Sequence, residues 1–107
     1  MNDFVWLHYI LPRTTWFELS TEEQQALEAG FEDRREQSRA GGAELAGRFH
    51  VRGQSDYSHV EVWSFPSAEA AFEHWSRLVA SGYVRYFDYA NQLGAADPAA
   101  GQNERNR

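Results

Sequence analysis

The sequence predicts an α+β domain whose elements follow the order β-α-β-β-α-β. Segments rich in β-branched and aromatic residues alternate with two stretches of helical period, and turn or capping residues stand at the boundaries between them. The length of 107 residues suits one domain. A sheet built in this order is four-stranded and antiparallel, with both helices on one face.

The first strand is predicted over residues 3–11, which are almost wholly apolar, and Pro12 ends it. Residues 13–19 are expected to form a loop carrying Trp16, whose large ring either anchors the loop or closes over a cleft. A helix then begins at Ser20, because the motif Ser-x-x-Glu is a capping box, and it ends near Arg39 before two glycines.

A hairpin follows, with strands at residues 43–52 and 57–65 around a turn at 53–56. Registering the strands from the turn places His50 opposite His59 and Arg48 opposite Glu61.

The second helix is expected to begin after Ser67 and to expose His74. Its predicted apolar stripe comprises Ala68, Ala71, Phe72, Trp75, Leu78 and Val79. The last strand is expected within residues 83–93. The domain would then span 1–94, followed by a disordered tail at 95–107 that has nothing to bury.

Composition excludes several classes of function. The net charge is −6 and all ten basic residues are arginine, which argues against non-specific nucleic-acid binding and against docking on an anionic membrane. Without lysine there is no Schiff-base chemistry, and without cysteine there is no thiolate nucleophile or disulfide. The lack of cysteine also suits a cytoplasmic protein.

Strand alternation predicts two different faces of the sheet. In the first strand we expect the more aliphatic set, Val5, Leu7, Tyr9 and Leu11, to face the helices. The opposite, open face would then gather aromatic and polar side chains, namely Trp6, His8, Arg48, His50, Arg52, Tyr57, His59, Glu61, Trp63 and Phe65. Such a face marks an interface or a ligand site.

The element order, the Trp-Ser-Phe-Pro-Ser junction at 63–67 and the Gly-Tyr-x-x-Tyr-Phe-Asp segment at 82–88 resemble the dimeric α+β barrel superfamily. That superfamily includes antibiotic-biosynthesis monooxygenases, EthD-like and YCII-like proteins, and muconolactone isomerase. The closest likeness is to a small bacterial subgroup of unknown function. The resemblance implies a ferredoxin-like fold and a homodimer whose two sheets pack face to face, with the open face inside.

The open face also carries the candidate chemistry. His8 or His59 would be an acid/base group near neutral pH, with His50 beside them and with Glu61 and Arg48 in support. The alternative is that these are satisfied polar residues at the barrel seam. Residues expected to contact a small aromatic ligand are Trp6, Trp63, Tyr57, Phe65, Arg52, Trp16 and Tyr86.

We therefore predict a small cofactor-independent monooxygenase, isomerase or dehydratase acting on an aromatic or polyketide-like metabolite. Two alternatives stay open. One is a non-enzymatic dimeric ligand-binding or accessory protein of a catabolic pathway. The other is a metal- or haem-dependent barrel enzyme, in which His50, His59 and Glu61 are a possible ligand set.

Overall fold

A computed structural model describes residues 2–53 and 56–99. The fold is the predicted α+β class with a ferredoxin-like four-stranded antiparallel sheet, in the strand order β2-β3-β1-β4. The elements run β1 Phe4–Pro12, α1 Thr14–Phe17, α2 Thr21–Ala40, β2 Glu44–His50, β3 His59–Phe65, α3 Ala68–Ala80, a 3₁₀ turn at Tyr83–Arg85, and β4 Phe87–Ala95. No helix among these residues is long and apolar enough to cross a bilayer.

The helices begin where the sequence places them. Ser20 and Glu23 form the expected capping box before α2. At the start of α3, the Ser67 side chain accepts a hydrogen bond from the Ala70 amide. Part of the predicted loop after β1 is instead the one-turn helix α1, whose Trp16 side chain is half-buried.

The predicted hairpin register is confirmed close to the turn, with Arg48 opposite Glu61 and His50 opposite His59. Further along, a bulge between Leu45 and Gly47 shifts the pairing, so Trp63 lies opposite Leu45 and not opposite Ala46. The turn residues 54 and 55 lie outside the described part of the chain.

The sheet faces are reversed from the prediction. The three histidines do share one face, but the helices cover its β1 part, where Trp6, His8 and Ile10 are 4%, 0% and 1% exposed. At the hairpin end of the same face, His50 is exposed and His59 is half-buried. The layer between the sheet and the helices holds the larger side chains, and the smaller aliphatic set is left outward. We call that outward side the outer face; its apolar residues are Val5, Leu7, Tyr9, Leu11, Phe49, Val60 and Val62.

The second helical stripe is also rotated relative to the prediction. His74 is fully buried where exposure was expected, whereas Phe72 and Val79 are 62% and 41% exposed. The helix faces the sheet through Ala71, His74 and Leu78, with Trp75 half-buried beside them.

The chain continues in regular structure slightly past the predicted domain end. The last strand, β4, runs to Ala95, and the amide of Ala96 donates to the carbonyl of Asp3. Most of the predicted tail, from residue 100 onward, lies outside the described residues.

Candidate functional site

A small cavity opens between α3 and the adjoining strands β1 and β4. Its volume is about 150 Å³. Its lining is mostly aromatic and aliphatic, comprising Trp6, Ala71, Phe72, Trp75, Asn91 and Leu93, and we call it the Trp cavity. Trp6 is almost wholly buried and the rim residues Phe72 and Leu93 are 62% and 37% exposed, so the cavity reaches the surface from a buried floor.

Asn91 is the polar residue of this lining, and it connects the cavity to a buried imidazole. The Asn91 Oδ1 atom lies 2.6 Å from His8 Nδ1, and the Tyr83 hydroxyl lies 2.9 Å from His8 Nε2. Both ring nitrogens of His8 are therefore engaged. The His8 ring also stacks on Trp6, with centroids 4.8 Å apart and planes 8° apart.

Burial keeps this histidine neutral. Desolvation lowers the pKa of His8 and outweighs the Asn91 hydrogen bond and the attraction of Glu61, which act in the opposite direction. Burial likewise raises the pKa of Tyr83, so its hydroxyl keeps its hydrogen. The pair is thus an uncharged hydrogen-bonded unit at neutral pH.

Behind His8 lies a buried carboxylate held by two arginines. Glu61 is 3% exposed and sits across the strand pair from His8. Its Oε1 atom accepts from Trp63 Nε1 at 3.0 Å, and its Oε2 atom lies 3.7 Å from Arg35 and 3.9 Å from Arg48. Because the charge is paired and hydrogen-bonded, this group is a satisfied structural ion cluster.

A second buried histidine lies on the α3 side of the same layer. The Nδ1 atom of His74 is 2.5 Å from the Ser38 hydroxyl, which also accepts from Arg77. Among the described residues its Nε2 atom has no hydrogen-bond partner, and it lies among the rings of Trp6, Trp63 and Phe65. Burial lowers the pKa of His74 to about 3.

The remaining predicted acid/base residues do not reach the Trp cavity. His50 and His59 are neighbours, with ring centroids 4.4 Å apart, and His59 Nδ1 pairs with the Ser58 hydroxyl. Burial lowers the pKa of His59, assisted by the charge of Arg48. Within the described residues no group of three histidine or carboxylate side chains is arranged to hold a metal ion, so the possible set with Glu61 does not converge.

The predicted aromatic contacts divide among three places. Trp6 lines the Trp cavity, while Trp63 and Phe65 are fully buried core residues. Trp16 packs on Tyr86 and Phe87 in a separate cluster and does not cover the cavity.

Two predicted residues lie near the far end of the sheet. Arg52 is exposed, and Tyr57 lines a wide groove of about 690 Å³. The charged side chains of this groove are largely in water, with Arg13 46% and Asp88 61% exposed, so it encloses a ligand poorly.

Sequence reasoning missed four residues of the site, namely Arg35, His74, Tyr83 and Asn91. Two of them carried a usable signal. Arg35 lies four residues after the buried Phe31, and His74 lies three after Ala71, so each continues a buried helical stripe. Nothing local distinguishes Asn91 in β4 or Tyr83 in its short turn.

Comparisons with known proteins identify a family and a fold for this chain, but not a function. The family described as "Family of unknown function (DUF6616)" matches residues 5–106, nearly the whole chain. No protein of curated function matches the chain significantly.

Several solved structures are similar in fold. The chlorite dismutase from Candidatus Nitrospira defluvii, solved in complex with imidazole, superposes with a TM-score of 0.77 at 15% identity, covering 97% of this chain and 44% of that one. A novel haem-binding protein from Thermus thermophilus superposes at 0.61 with 19% identity, covering 92% and 46%. This chain therefore spans less than half the length of either neighbour, and at such identity the likeness shows the fold alone.

Proposed function

The chain belongs to this family of unknown function, and from its geometry we propose that it binds a small planar molecule in the Trp cavity. One observation carries the proposal: a mostly apolar cavity is open at its rim and ends on an amide that a buried histidine holds in place. An apolar lining with a few fixed polar groups is the usual composition of a ligand site.

The size of the cavity sets the class of ligand. Sites for drug-sized molecules usually measure about 300–1,000 Å³. A dry apolar cavity of ~150 Å³ can hold benzene. The Trp cavity has this smaller volume, so it suits one ring with a short substituent.

The Thermus thermophilus fold neighbour is described as haem-binding, which favours haem dependence over a cofactor-free enzyme, so haem is the second candidate. The residues between the sheet and the helices do not fit it. Both nitrogens of His8 are hydrogen-bonded, the free nitrogen of His74 lies against aromatic rings, and the adjoining cavities measure only about 150 and 130 Å³.

The geometry also weakens the cofactor-free acid/base hypothesis. His8 is fully buried and does not line the cavity, so a bound ligand meets Asn91 first. His59 does not line it either. Binding is therefore the activity that this arrangement supports, with His8 as a residue that positions Asn91.

The proposed binding unit is a homodimer joined through the outer face. This face exposes Val5 and Phe49 by 43% and 52%, and a row of half-buried aliphatic residues lies between them. A second copy is the favoured partner because the fold neighbours are long enough for two units of this size.

Titration with toluene, followed by the tryptophan fluorescence and the indole N–H resonances of Trp6 and Trp75, tests the proposal. Saturable binding of one molecule per chain is expected. Leu93→Trp should block it by filling the rim, whereas Phe17→Trp, which adds the same ring far from the cavity, should not. Equal binding by both variants, or none by the native chain, contradicts the proposal.

A parallel titration with hemin separates the second candidate. We expect no saturable Soret band at one haem per chain. A saturable band that is lost in His74→Leu or His8→Leu would replace the small-ligand proposal with the haem alternative.

A further inference from the structure

We infer that Asn91 selects the ligand of the Trp cavity, and that the preferred ligand carries a hydrogen-bond acceptor, such as a carbonyl or nitrile, beside its ring. The inference rests on the proposed function and adds the chemical class. It follows from which atom donates and which accepts in the two hydrogen bonds that link Tyr83, His8 and Asn91.

The direction is set at the buried end. The Tyr83 side chain is 1% exposed, and its hydroxyl must donate its hydrogen to an acceptor to avoid a desolvation penalty. Within the described part of the chain, its hydrogen-bond partner is His8 Nε2, at 2.9 Å. The hydroxyl therefore donates, and the imidazole nitrogen accepts.

The tautomer of His8 then fixes which atom donates in its hydrogen bond to Asn91 on the neighbouring strand. A neutral ring that accepts at Nε2 carries its hydrogen on Nδ1. That hydrogen is donated to Asn91 Oδ1 over 2.6 Å. The oxygen of the amide is thereby turned toward His8, and an alternative orientation would place an N–H against another N–H.

The amide nitrogen is left for the ligand. Among the described residues the Asn91 side chain has one hydrogen bond, through Oδ1, so both hydrogens of Nδ2 have no protein acceptor. Asn91 is only half-buried and lines the Trp cavity. A ligand with an acceptor atom can accept a hydrogen bond from this NH2 group. A ligand with a donor or an ammonium group would face the hydrogens of Nδ2 and gain no hydrogen bond there.

Three probes of similar size test the inference: toluene, benzonitrile and benzylamine. They offer the Trp cavity a methyl group, an acceptor and a charged donor. Benzonitrile should bind about fivefold more tightly than toluene, the ratio that one net hydrogen bond gives. Benzylamine should bind more weakly than toluene. Benzonitrile alone should shift the side-chain NH2 resonances of Asn91.

Variants assign the preference to the network. Asn91→Leu should reduce the ratio of benzonitrile to toluene affinity to about one, because the donor is gone. His8→Leu should reduce the same ratio by releasing the amide, with circular dichroism checking the fold. His50→Gln, on the same sheet face but away from the cavity, should leave the ratio unchanged.

The outcomes separate the two claims. Equal affinity for toluene and benzonitrile, or a preference for benzylamine, overturns the inference while the cavity still binds rings. A ratio that survives in Asn91→Leu overturns it as well. Failure of all three probes to bind overturns the proposed function itself.

Discussion

The buried imidazole of His74 couples the stability of this protein to pH more strongly than any other histidine. It is fully buried, and its Nδ1 atom pairs with the hydroxyl of Ser38. Burial lowers its pKa to about 3, with the charges of Arg77, Arg35 and Arg39 and the neighbouring His8 acting in the same direction. The ring is therefore neutral in the folded chain at neutral pH.

We expect the free energy of unfolding to fall as the pH decreases through the mildly acidic range. The unfolded chain binds this proton near pH 6.5 and the folded chain only near 3, so the unfolded state holds more protons between these values. Stability is complete above the upper value and is lost below it, by roughly 1 kcal/mol per pH unit between about pH 6 and pH 5. Urea unfolding at three pH values measures the slope.

The matched variants are His74→Leu and His50→Gln. The first should flatten the slope, leaving the smaller contributions of His8 and His59, whose pKa values burial also lowers. The second should keep the slope because His50 is exposed. An unchanged slope in His74→Leu contradicts the assignment.

At the scale of elements, turn and capping chemistry was readable from the sequence, whereas the buried side of each element was not. The hairpin register followed from one turn and the pairing of Arg48 with Glu61. The side of β1 that meets the helices could not be predicted, because both alternating sets in Phe4–Pro12 are largely apolar. The buried side depends on packing against α2 and α3, which belong to other segments.

The first long helix should depend measurably on its capping box. The Ser20 hydroxyl accepts from the Glu23 amide at 3.1 Å, and the Glu23 carboxylate accepts from the Ser20 amide at 2.9 Å. Ser20→Ala should lower the free energy of unfolding by about 1 kcal/mol. Ser76→Ala, an exposed position inside α3, should change it little or raise it slightly. Denaturant titration measures the free energy of unfolding of both variants. If Ser20→Ala lowers it no more than Ser76→Ala does, the cap contributes nothing.

The candidate site becomes visible only in the whole molecule. His8 reaches Tyr83 across 75 positions and Asn91 across 83, so no local spacing or motif joins them. The sequence did indicate that His8, Glu61 and Trp6 share a face, since strand alternation fixes that relation. It could not show that the helices cover this part of the face. Because they do, the proposed catalytic residues His8 and Glu61 are buried groups with their hydrogen bonds satisfied.

The reversal of the faces also changes which surface would join two copies in the proposed dimer. The aliphatic residues of the outer face would form the interface that the aromatic face was expected to supply. Val62 lies at its centre, paired with Leu7 on one side and Gly47 on the other. In the dimer, Val62→Arg would bury an unpaired charge, which costs several kcal/mol.

The native chain should therefore sediment with the mass of two chains, and Val62→Arg with the mass of one. Val79→Arg makes the same substitution at an exposed valine on α3, the opposite side of the molecule, and should stay dimeric. If Val79→Arg dissociates instead, the helices and not the outer face join the copies. A native chain with the mass of one copy would contradict the proposed dimer.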